Sequence, residues 1–97
     1  MKKVIDNIQV EWDENKEKIN IRKHGISFDI AALVFADEER IEYYDKLHSS
    51  AEEDRYVVLG MVEDVLFVVY TDRRSAVRLI SARAATAHER RLYYGDN

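Results

Sequence analysis

Apolar and polar positions alternate through Ile8–Trp12, "IQVEW", and predict a strand. The pattern then turns helical. Asp13 stands where it can cap a helix through "ENKEKINIRKH". Arg22, Lys23 and His24 followed by Gly25 mark that helix's end: cations near the carbonyl terminus, then a glycine that tolerates positive φ. Ser27 caps a second helix, "FDIAALVF", with Ile26 and Ala31 at the staple positions around the cap. Beyond Phe35 the period changes. "RIEYYD" (Arg40–Asp45) is a strand candidate and "KLHSSAEED" a polar loop. Three β-rich runs follow, "RYVVLGMV", "VLFVVYTD" and "AVRLISAR", with breaks at Glu63-Asp64 and Asp72–Ser75 short enough for hairpins. "VLFVVY" is apolar on both alternating sets, so it sits centrally, covered on both sides or paired on both edges. A last helix runs from Thr86 to Tyr94. The order β-α-α-β-β-β-β-α predicts an α+β domain with helices packed on an antiparallel sheet.

Composition narrows the class. The 97 residues suit one domain, 1–97, and 46% hydrophobic content is enough for a small core. The absence of cysteine excludes disulfides and thiolate metal sites and fits a reducing, cytoplasmic setting. No apolar run approaches a membrane span, and no apolar segment follows Lys2 and Lys3 as a signal peptide requires. The net charge of −4 argues weakly against nucleic acid, but the charge is uneven. Residues 36–64 hold ten acids and three bases, whereas residues 65–97 hold six bases and three acids. Such a chain can present a basic face despite an acidic total, or an acidic one to a basic partner.

No Walker loop, dinucleotide fingerprint or metal-ligand spacing occurs; "EED" at Glu52–Asp54 gathers carboxylates without a further ligand. Cations and imidazoles are left. Arg55 opens a strand, Arg73 and Arg74 lie on a hairpin, and Arg78 and Arg83 share the last strand. Five residues apart, Arg78 and Arg83 fall on opposite faces under strict alternation, with Ile80 and Ala82 on one face and Ser81 and Arg83 on the other. Arginine suits phosphate because its planar fork stays charged and donates bidentately. His24 is either a general acid or base or a helix-terminal cation, and Lys23 either a phosphate contact or a solvated charge. His88 reads as a surface residue in a helix's first turn, and His48 as a loop residue with no special claim. Thr86-Ala-His-Glu89 matches a capping box, which competes with a catalytic reading of Glu89. Tyr43, Tyr44, Tyr70, Tyr93 and Tyr94 are core or edge residues, or stacking partners for nucleobases.

Taken in order, "WDENKEKINIRKHGISF" (Trp12–Phe28), "AALVFAD" (Ala31–Asp37), "EDRYVVLG" (Glu53–Gly60), "VVYTDR" (Val68–Arg73) and "RLISARAATAHERRLY" (Arg78–Tyr93) resemble the BrnT toxins of bacterial type II toxin–antitoxin systems. The resemblance spans almost the whole chain. It implies a RelE-like fold: two N-terminal helices and a C-terminal helix on an antiparallel sheet. It implies an endoribonuclease that cleaves mRNA without metal or cofactor, inhibiting translation. It also implies a BrnA-like ribbon-helix-helix antitoxin, through which alone the complex meets operator DNA. In such an enzyme a base takes the ribose 2′-hydroxyl proton, cations stabilise the attacked phosphate and an acid protonates the leaving 5′-oxygen. The resemblance assigns phosphate stabilisation to Arg55 and Arg83, proton transfer to His24 assisted by Lys23, and positioning to Tyr70. The alternative is an inactive toxin-like module serving only as partner of the antitoxin and operator complex.

Overall fold

The computed structural model describes residues 1–95. Its elements are β1 (Lys2–Ile5), β2 (Ile8–Glu11), α1 (Glu14–His24), α2 (Phe28–Ala31), a 3₁₀ turn (Ala32–Ala36), β3 (Ile41–Tyr44), β4 (Tyr56–Val62), β5 (Asp64–Arg73), β6 (Ala76–Ala84) and α3 (Ala87–Tyr94). The six strands form one sheet in the order β1-β2-β6-β5-β4-β3. None of the described helices is long and apolar enough to cross a membrane.

Two expectations need correction. The sheet is mixed rather than antiparallel, because β2 runs parallel to β6 through Val10–Val77 and Glu11–Arg78. The sheet also gains an unexpected first strand. Asp6 and Asn7 both adopt positive φ, 45° and 69°, and close a two-residue hairpin that folds β1 back on β2. This hairpin joins the β6 edge as a unit, with only β2 touching the older ladder. The second helix is also shorter than expected. It is α-helical for one turn and then tightens to 3₁₀.

The local signals around these helices work as read. Asp13 accepts the Lys16 amide at 3.0 Å, Gly25 closes α1 at φ 71°, and Ser27 accepts the Ile30 amide. α1 is largely charged, and it is fastened less by apolar burial than by two polar side chains. Asn20, 4% exposed, donates to the carbonyls of Ile26 and Ala82 at 2.9 Å each and accepts the Ala82 amide at 3.0 Å. It thereby stands in for a neighbouring strand where β6 has run past β2. Glu17 accepts from the Trp12 indole and the Phe28 amide, setting those two rings edge to face. Most of the "WDENKEKINIRKHGISF" string is thus scaffold.

Two cores result, one on each side of the sheet. Helices α1 and α2 and the 3₁₀ turn cover one face, where Val58, Leu66, Val68, Tyr70, Leu79 and Ala82 meet Trp12, Phe28 and Phe35. The second face gathers Val57, Leu59, Val65 and Val69 with Phe67, Ile80 and Tyr93 of α3. β5 is the central strand, paired on both edges and buried on both sides, as its apolar run predicts.

Candidate nucleic-acid interface

The register of the sheet decides which cations share a face. β5 pairs with β6 as Phe67–Arg83, Val68–Ala82 and Val69–Ser81, and then slips to Tyr70–Leu79 and Thr71–Arg78. Ile80 is the extra residue of a β-bulge on β6. Strict alternation fails there, and the expected opposition of Arg78 and Arg83 is reversed. Residues directly opposite one another lie on the same side. Arg83 faces with Phe67 and Arg78 with Thr71, and Phe67 and Thr71 are four residues apart on one strand, so both arginines point to the face that α3 overhangs. Ile80 packs on that same face, and Ala82 on the other.

Arg83 is held with care. Its guanidinium carbon lies 3.9 Å from the Phe67 ring centroid. Nη1 and Nη2 donate to the two oxygens of Glu89 at 2.8 and 3.0 Å, and Nη1 also donates to the Ala84 carbonyl at 3.2 Å. Three of its five N–H groups are used. Nε–H and the outer Nη2–H are without partners among the described residues, and they form a second planar fork. Burial opposes the charge on Glu89, but the hydrogen bonds from Arg83 and Thr86 and the guanidinium's charge outweigh it and hold the carboxyl below its ordinary range. The Glu89 bond pushes Arg83 higher still. Glu89 closes the capping box at the same time, accepting the Thr86 amide at 2.8 Å while Thr86 Oγ1 accepts its own. Both readings of that residue therefore describe one geometry: α3 begins with a carboxylate fixed against Arg83. Tyr43, paired with Val57, lies on the same face, and burial raises its hydroxyl's pKa, as do the charges of Glu89 and Asp45.

The other expected site residues are spread out. Asp45 donates its amide to the Arg55 carbonyl at 2.8 Å, continuing the β3–β4 ladder by one residue. That puts Arg55 level with Thr71 and Arg78 on the α3 side. From Arg83 it stands about 13 Å along the strands and about 10 Å across them, or about 16 Å on the diagonal. The two arginines therefore rise from well-separated points of one face rather than side by side. Arg55 gives Nε to Glu53 at 2.9 Å, and its Nη fork has no partner among the described residues. Tyr70 lies on the helix-covered face, 5% exposed, stacked on Tyr56, and its hydroxyl donates to Glu42 at 2.6 Å. Burial and that carboxylate push its ionisation far above the ordinary range. It faces away from both arginines. Lys23 and His24 are exposed at the end of α1, on the helix side of the open β6 edge. They border a concavity with Ile80 and Ser81, and His24 also borders a groove of about 540 Å³ with Ile30, Asp64 and Ala84. Neither makes a side-chain hydrogen bond among the described residues. No group of histidines and carboxylates among the described residues is placed to hold a metal.

Phe67 as the bed of Arg83 was not legible in the sequence, and neither was Tyr43 as its neighbour. The only signal was position: odd-numbered residues of β5 share a face with Arg83 once the register is known.

Residues 12–89 match the family model described as "Ribonuclease toxin, BrnT, of type II toxin-antitoxin system". No curated protein matches. Among solved structures, the 1.1 Å crystal structure of the Brucella abortus ribonuclease toxin BrnT is similar, with a TM-score of 0.61 and 24% identity over 79% of this chain and 95% of that one. At that identity the likeness is one of fold, whereas the family model covers most of the chain. The chain belongs to the BrnT family of ribonuclease toxins of type II toxin–antitoxin systems.

Proposed function

We infer that this chain is a RelE-type endoribonuclease toxin that cuts mRNA without a metal ion. Its neutralising partner is an antitoxin of the BrnA kind, whose ribbon-helix-helix region carries the complex to operator DNA. The observation that carries the reading is Arg83: bedded on Phe67, oriented by Glu89, with a bidentate fork left over among the described residues on the α3 side of the sheet. A guanidinium already fixed in place stabilises the added charge of an attacked phosphate without reorganising. Arg55, on the same face and about 16 Å away, binds a different phosphate of the same strand. Lys23 and His24 stand at the β6 edge beside Arg83's strand, and proton transfer at that edge is assigned to His24 with Lys23 assisting. Tyr70 supports the sheet from its far side, and any positioning role it has acts through Tyr56 and Glu42.

Purified protein incubated with RNA in chelator, without antitoxin, tests this. Cleavage leaving a 2′,3′-cyclic phosphate is expected, and Arg83→Ala lowers the rate by about 10²–10³-fold with folding preserved. Antitoxin binding at full strength with intact RNA supports the inactive-partner reading instead. A His24→Gln variant that cleaves at the wild-type rate removes His24 from the assignment and leaves Arg83 standing.

A further inference from the structure

The polar loop after β3 contains a second, more constrained histidine. Asp45 directly follows β3 and carries the one carboxylate buried among the described residues, its side chain 9% exposed. Its Oδ2 lies 2.7 Å from Nδ1 of His48, and its Oδ1 accepts the His48 backbone amide at 3.3 Å. The turn between them is tied down: the Ser49 amide donates to the Asp45 carbonyl at 3.1 Å. Ser49 Oγ accepts the Arg55 amide at 2.8 Å and donates to the Arg55 carbonyl at 3.3 Å. The 11-residue connection between β3 and β4 is thus stapled to the start of β4. A carboxylate on Nδ1 fixes the proton there in the neutral ring and leaves Nε2 as the acceptor. Nε2 has no hydrogen-bond partner among the described residues, and the imidazole is 52% exposed. Arg55 stands opposite Asp45 in the extended ladder, and its Nη atoms make no hydrogen bond among the described residues.

We propose that His48, oriented by Asp45, is a catalytic base of this chain, acting on a ribose whose phosphate is held by Arg55. This rests on the ribonuclease reading and replaces two of its assignments: the base is His48 rather than His24, and the attacked phosphate lies on Arg55 rather than on Arg83. Nε2 takes the proton of the 2′-hydroxyl, and the 2′-oxygen forms its bond to phosphorus as the P–O5′ bond breaks. The leaving 5′-oxygen takes a proton from water, and the hydroxide so formed recovers one from the imidazolium. The products are a 2′,3′-cyclic phosphate and a 5′-hydroxyl, with no net change in protons and no co-reactant. Arg83, on the same face, then holds a phosphate further along the strand. His48 is the one histidine here with a buried carboxylate behind it and an open nitrogen in front, as a base of this kind needs, and Arg55 lies opposite that carboxylate's residue in the ladder.

The test uses the full chain, an unstructured RNA oligonucleotide and its all-deoxy counterpart, which lacks the 2′-hydroxyl and reports binding alone. His48→Ala is expected to slow RNA cleavage by about 10²–10⁴-fold while deoxy-oligonucleotide affinity and circular dichroism stay as in the wild type. Added imidazole restores cleavage, since the site is half open to solvent. Asp45→Asn lowers kcat with KM unchanged. A His48→Ala variant with the wild-type rate overturns the proposal, and so does a loss that imidazole leaves uncorrected. If the wild type itself leaves RNA intact, it is the ribonuclease reading that fails; if the wild type cleaves and only the His48 result is negative, that reading stands and His48 alone is withdrawn.

Discussion

Replacing Asn20 by Ala is expected to be the most damaging single truncation of a polar side chain in this molecule. The amide makes three hydrogen bonds, all to backbone groups: the Ala82 amide and carbonyl, both in a buried setting, and the partly buried Ile26 carbonyl. Alanine removes the partner and leaves these groups without water. Each buried orphan costs about 1–3 kcal/mol. The Ala82 pair and the better-hydrated Ile26 carbonyl together amount to about 3–5 kcal/mol, a large share of the roughly 5–15 kcal/mol available to a domain. For a chain this long each kcal/mol lowers the melting temperature by about 4–8 °C, so the loss is at least about 12 °C. Calorimetry or thermal circular dichroism measures it. Asn20→Asp separates packing from hydrogen bonding. It has nearly the same shape and still accepts from the Ala82 amide, but it sets a carboxylate against two carbonyls and is expected to be destabilised to a similar degree. A drop below about 5 °C for Asn20→Ala, worth less than about 1 kcal/mol, would refute the claim that this side chain substitutes for a strand along β6.

Two further tests address other parts of the chain. A Cβ at Gly60 would lie 2.7 Å from the Val34 Cβ and 3.1 Å from its Cα, so Gly60→Ala is expected to cost about 1–3 kcal/mol by urea unfolding. Shortening Val34 to Ala gives no rescue, because the clashing Cβ is still there. The Glu89 carboxyl is held below its ordinary value of 4.5, so the stability it contributes is complete above that value and is lost as pH falls through the folded-state pKa. Wild-type stability therefore declines on acidification below about pH 4.5 more steeply than that of Glu89→Gln, followed by melting temperature against pH; parallel curves for the two proteins would show that the Arg83 pair contributes nothing to folding.

How far the sequence could be read depended on whether a feature was local. Helix ends are written within four or five residues, so Asp13, Gly25, Ser27 and the Thr86–Glu89 box were all legible. The β1–β2 hairpin was nearly so. Asp-Asn between Ile5 and Ile8 is a two-residue connection of residues that tolerate positive φ, but β1 is too short and too charged to read as a strand alone. The parallel contact of β2 with β6 joins residues more than sixty positions apart and leaves no local mark. His48 was hidden for a different reason. Its neighbours in sequence are polar and unremarkable, and its partner Asp45 reads as a strand's last residue; the buried side chain that gives the pair its meaning comes only from the pairing of Asp45 with Arg55.

The bulge at Ile80 shows why the arginines in particular resisted a reading by spacing. Period-two alternation is a property of a perfect ladder, and Arg78 and Arg83 are an odd number of residues apart. One inserted residue reverses the outcome for everything beyond it, while Leu79 and Ala82, three apart, both reach the helix-covered core. The inserted Ile80 is itself buried with the second core rather than wasted at the edge. Its insertion comes where β6 has lost β2 as a neighbour and gains Asn20 instead, the one stretch of the strand free to accommodate an extra residue without breaking a ladder on its other side. The same few residues thus fasten α1, turn Arg83 onto the α3 side and bring it against Glu89. Bulges re-aim side chains, and here the side chain re-aimed is Arg83, whose Nε and outer Nη2 donors are unspent among the described residues.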